Sequence, residues 1–154
     1  MWQRKQTIFL SITSLCMVLM IFFPVWKASE AGVEKMLMPL HYTEVTGDVR
    51  ETVYFPYALC AILAVAAATL AIIEIGKFEN RLLQLKLGAL NSLLMAGSLG
   101  SAVYFAVQLI KTQQIAGAYD YGMWLPAIAM FSNLIANRFI RKDEKLVRDS
   151  DRIR

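Results

Sequence analysis

The chain has 154 residues, 57% of them hydrophobic and 18% charged, with a formal charge of +4. Four uncharged runs, at 6–26, 52–73, 87–110 and 121–137, use more than half of it, so no soluble domain with its own core fits in the remainder. The basic residues lack the aromatic interleaving of a single-strand platform, which argues against nucleic acid as a partner.

A helix rises about 1.5 Å per residue, so a bilayer core of roughly 30 Å needs about 20 apolar residues. Three runs reach that length. The fourth has 17 residues and includes Ser132, Asn133 and Asn137, so it depends on its neighbours for insertion. The expected fold class is an all-α membrane protein, a four-transmembrane-helix bundle in one domain over 1–154. Its spans lie at about 7–26, 54–76, 88–110 and 121–140, with an external segment at 27–53 and a charged cytoplasmic C-terminal helix at 141–154.

Arg4 and Lys5 precede the first run, as in a signal peptide. The run exceeds the usual 7–15 residues of a cleaved signal, and Lys27 and Glu30 make a poor cleavage context, so an uncleaved anchor is expected. Cys16 and Cys60 fall at different depths without a metal-ligand spacing and read as small core residues. The tryptophans sit at span ends, Trp2 inside and Trp26 and Trp124 outside. Tyr54, Tyr57, Tyr119 and Tyr121 join the outer belt, where an amphipathic ring meets lipid and water together.

Within the external segment, β-branched and aromatic runs at 40–45 and 49–54 flank Thr46, Gly47 and Asp48, the pattern of a β-hairpin. An isolated hairpin is marginal in water, so this one must lean on the membrane domain or on a partner. In the third span Gly88, Ser92, Ala96 and Gly100 recur every four residues, and Ala61, Ala64, Ala68 and Ala71 populate the second. Small residues let helix backbones approach closely, so these two spans are expected to pack on each other.

Asn91 lies five residues in from Lys86, and Asn133 five residues in from Arg138. With Ser14 and Thr69 at similar depth, they are the candidates for a polar layer that either bonds helix to helix or holds a polar ligand. Glu74, three residues before Lys77, reads as an interfacial acid that is solvated or paired along the helix. With no carboxylate expected near mid-membrane, an ion-coupled transporter is disfavoured. His41 is the single histidine and reads as a surface residue. No P-loop, nucleophile elbow, zinc-protease motif or paired-carboxylate pattern occurs, so no catalytic, cofactor or metal residue is expected.

In the tail, Phe139, Leu146 and Ile153 are spaced by seven, with Val147 beside Leu146. This narrow apolar stripe on a basic helix is the candidate docking surface for a protein partner or the membrane surface. If both termini are cytoplasmic, that side holds 12 of the 16 Lys and Arg, leaving only Lys27, Lys35, Arg50 and Lys111 outside. The positive-inside rule then gives an N-in/C-in topology.

Ala136 through Arg148, followed by Asp151 and Arg152, resembles the C-terminal signature of domain of unknown function 4293, a bacterial family. Residues 1–10 resemble its opening, and Asn80 through Leu87 with Leu90 and Asn91 resemble its central loop. The resemblance covers the whole chain and implies four membrane spans and an inner-membrane location. It implies no activity. The expected function is therefore that of a non-enzymatic accessory or scaffolding subunit of a membrane complex. Membrane lipids, a protein partner or a second copy of the chain would contact it. The alternative is a binder of lipid or a hydrophobic small molecule through the polar layer, with a transporter or membrane enzyme less favoured.

Overall fold

The computed structural model describes residues 5–30, 32–115 and 117–151, with the side chains of 150 and 151 left out. Trp2 and Ile153 lie outside the described residues. The element order is α1 (Lys5–Met20), β1 (Trp26–Glu30), β2 (Val33–Leu37), β3 (Tyr42–Thr46), β4 (Val49–Val53), α2 (Leu59–Gly76), α3 (Arg81–Gln113), β5 (Ala118–Tyr119) and α4 (Tyr121–Asp151).

The first apolar run does not stay helical to Trp26. Pro24 disfavours helix in the residue before it. The chain tightens ahead of it, with Ile21, Phe22 and Phe23 each bonding the carbonyl three residues back. It then turns into β1. β1 and β2 pair antiparallel from Trp26–Leu37 to Glu30–Val33, and Gly32 takes a φ of 80° in the turn between them. β3 and β4 pair through a two-residue turn in which Gly47 has a φ of 58°, a conformation that costs little only without a Cβ. The resulting sheet is antiparallel in the order β4-β3-β2-β1-β5, with β5 contributed from the far side of α3.

This sheet overturns the all-α class. The chain is α+β, and the segment expected to hold one hairpin carries four of five strands. Four spans also do not fit, because among the described residues only α2 and α3 are long and apolar enough to cross a membrane. α1 has 16 residues, about 24 Å. α4 is one continuous helix of 31 residues that carries its uncharged half straight into the charged tail.

α1 packs on α2 and α4, and α3 packs on the same two helices. The sheet caps one end of this layer and shares its core. The Asp120 and Gly122 amides donate to the Val25 and Pro24 carbonyls, and the Ala61 amide donates to that of Pro39. Tyr57 bridges the two parts by ring contacts to Tyr42 on β3 at 5.8 Å and Phe105 on α3 at 5.3 Å. Trp26, read as an interfacial belt residue, is instead fully buried at this junction, whereas Trp124 stays exposed.

The expected α2–α3 packing occurs, and the expected alanines of α2, Ala61, Ala64, Ala68 and Ala71, are all buried together with Ala67. The stripe expected on α3 is divided, and it is Gly97, outside that stripe, that faces Leu63. Gly88 lies against Asn137 of α4, while Ala96 and Gly100 point outward.

Candidate functional site

The buried faces of the helices carry polar side chains at the end away from the sheet. On α3 the buried series is Gln84, Gly88, Asn91, Met95, Ser98 and Ala102, the three-four spacing of one helix face. Ala67, Ala71 and Glu74 continue the buried face of α2, and Ala129, Asn133, Ala136 and Asn137 form that of α4.

Three of the four expected layer residues come together. Ser14 donates to the Ala68 carbonyl at 3.3 Å, joining α1 to α2. Asn133 donates through Nδ2 to the Gly88 carbonyl and to Ser92 Oγ, both at 2.9 Å, joining α4 to α3. Asn91 is fully buried on the same face of α3 as Gly88. Thr69 does not take part: it is exposed and bonds its own helix at the Val65 carbonyl. Thr13 and Ser132 add α1–α4 bonds to the Ala129 and Phe9 carbonyls.

Four residues join the layer that the sequence reading did not assign to it: Gln6, Glu74, Gln84 and Asn137, each at most 8% exposed. Gln84 Nε2 donates to the Glu74 carbonyl at 2.8 Å. The interfacial reading of Glu74 is wrong. Its side chain is wholly buried, neither carboxylate oxygen has a protein partner, and Lys77 lies exposed beyond it. The alanine stripe of α2 held the signal, because Glu74 follows Ala67 and Ala71 in phase. Among the described residues no group of three His, Cys, Asp or Glu converges, so Glu74 is the one carboxylate of this layer.

The tail stripe is divided. Phe139 stacks on Phe9 of α1 at 5.7 Å and is spent within the protein. Leu146 and Val147 are exposed, and Val147 helps line a cleft of about 530 Å³ with Asn80, Arg81, Leu82 and Glu144. Arg81 ties the cleft together by donating to the Asp143 carbonyl at 2.7 Å.

The sheet carries its own electrostatics. Lys35 is almost fully buried between Gln113, to which it donates, and Glu44 at 3.4 Å. Burial, followed by donation to Glu44, raises the Tyr42 hydroxyl well above the ordinary tyrosine range. A bond from Lys27, then one from the Tyr121 amide, lowers the Asp120 carboxyl and holds it as an anion at the start of α4. His41 is half-buried against Tyr54, and desolvation together with Arg50 lowers its pKa, which favours the neutral ring.

No curated protein matches the chain. The family described as Domain of unknown function (DUF4293) matches residues 2–153, nearly its whole length. The chain belongs to that family.

Proposed function

We propose that this is a non-enzymatic accessory subunit of a complex in the bacterial inner membrane, docking a protein partner on the cytoplasmic extension of α4. The observation that carries the membrane location is the inverted polarity of the helices. Leu15, Ile62, Leu93 and Phe131 are 58–68% exposed, while Thr13, Glu74, Asn91 and Asn133 are fully buried. In water such apolar faces invite aggregation, whereas in lipid they are solvated and polar residues bond helix to helix. α2 and α3 cross the bilayer in this reading, and α1 and α4 pack beside them.

The 77–80 turn is flanked by Lys77, Arg81 and Lys86, and α4 brings Arg138, Arg141, Lys142, Lys145 and Arg148 to the same end. The positive-inside rule makes that end cytoplasmic and puts the sheet outside. Leu146 and Val147, exposed beside the cleft, are the docking anchors. Replacing either with Ser should weaken partner capture about tenfold to a hundredfold. Each fully buried apolar side chain contributes about 1.5–3 kcal/mol, which corresponds to that range. Quantitative cross-linking and affinity capture of the tagged protein would measure it. Unchanged capture at equal abundance would overturn docking there.

A shallow apolar groove of about 200 Å³ along Thr7, Ile8, Ser11, Ile12 and Leu15 favours a second reading, the binding of a lipid chain. A lipid that stays with the purified monomer, and is lost when Ile12 is replaced by Asn, would support it.

A further inference from the structure

The polar layer is unbalanced in a particular direction. Its buried side-chain atoms without a protein partner are Gln6 Oε1, Glu74 Oε1 and Oε2, Gln84 Oε1, Asn91 Oδ1, Asn133 Oδ1 and Asn137 Oδ1, against one donor, Asn91 Nδ2. The amides of Gln84 and Asn133 cannot turn over to correct this without loss. Their nitrogens already donate to the Glu74 and Gly88 carbonyls, which fixes their oxygens as the free atoms.

The inter-helix bonds set the level of each group. Ser98 meets Cys60, and Gln84 meets Glu74, on antiparallel α2 and α3. Ser14 meets Ala68 on α1 and α2, so antiparallel packing brings Glu74 level with the first turns of α1, where Gln6 is buried. Asn137 lies against Gly88, one turn from Gln84 on the same face. Gln6, Glu74 and Gln84 thus lie near one level of the helix layer, with Asn137 and Asn133 at Gly88 about one turn deeper. Asn91 lies a further turn along α3, which makes a ring of acceptors staggered along the helices.

We propose that this ring is a binding site for an alkali-metal cation, with Glu74 supplying the charge and the amide oxygens replacing water in the cation's shell. Hard cations take oxygen ligands of this kind. A single carboxylate matches a single positive charge, whereas calcium or magnesium sites commonly gather more acidic ligands. Without histidine or thiolate in the ring, the softer transition metals lack their preferred donors. The site stands independently of docking at α4.

The test is thermal unfolding of the detergent-purified full chain in sodium, potassium or N-methylglucamine chloride at equal ionic strength and pH. The melting temperature should rise saturably with sodium or potassium over the bulky organic cation, since a ligand bound only by the folded state stabilises it. Whichever alkali ion acts at the lower concentration is the preferred occupant. Glu74→Gln, which keeps the shape and removes the charge, should abolish the response, and Gln84→Met should shift half-saturation at least tenfold upward. Equal melting of the unaltered protein in all three salts would overturn the site, whether or not the variants fold, and would leave Glu74 as a buried packing residue. An undiminished response in Glu74→Gln would overturn it as well.

Discussion

Replacing Trp26 with Ala should lower the unfolding free energy by about 3–5 kcal/mol, the range for deleting a fully buried large aromatic side chain. Trp26 opens β1, pairs with Leu37 and Tyr119, and is wholly covered. Its indole occupies the place where a side chain on residue 117 would stand, and Gly117 leaves that place open. The loss would therefore loosen β1 from β5 and the sheet from the helices together. Trp124→Ala should cost much less, because Trp124 is 62% exposed. Pulse proteolysis in detergent over a denaturant series would measure both variants, and equal costs would contradict the junction assigned to Trp26.

The second large effect is expected at Gly122. Its amide donates to the Pro24 carbonyl at 3.0 Å, and an added Cβ would collide with the Phe23 carbonyl and stand 2.7 Å from that of Pro24. Those are backbone atoms held by the turn between α1 and β1, so no side chain can swing aside. Gly122→Ala should cost about 1–3 kcal/mol or somewhat more from overpacking. Gly100→Ala should go the other way by about 0.5–1 kcal/mol, since nothing lies within 4 Å and alanine suits a helix interior better. Opposite signs in the same denaturant series are the expected outcome.

Much of the helical framework was legible because lipid-length apolar runs leave a strong compositional trace, as in α2 and α3. The turn at Gly47 was legible for a similar reason, a glycine between β-branched runs. β1 and β2 were hidden. Each is five residues long, too short for alternation to stand out, and β1 begins inside what reads as a continuous apolar span. Only the effect of Pro24 on Phe23 marked the helix stop. β5 has two residues and exists through pairing with β1, a contact that no local pattern encodes.

The polar layer was partly legible. Asn91 and Asn133 stood out as amides in apolar runs, but depth alone cannot say which way a side chain points. Helical phase decides that. It turns Thr69 outward and Glu74 inward, although both lie on α2 near the same end. Reading the alanine stripe onward to Glu74 would have found the one acid of the layer. Gln84 and Gln6 were obscured by neighbouring charges that made their segments look like interfacial flanks.

The central claim is that α2 and α3 cross a membrane with the sheet outside and the 77–80 turn inside. Single cysteines at the exposed positions Thr46 and Glu79, with Cys16 and Cys60 replaced by Ala, test it directly in spheroplasts. A membrane-impermeant maleimide should label Thr46→Cys in intact spheroplasts and Glu79→Cys only after permeabilisation. Equal labelling of both positions from outside, or release of the protein from membranes by alkaline carbonate, would contradict the account.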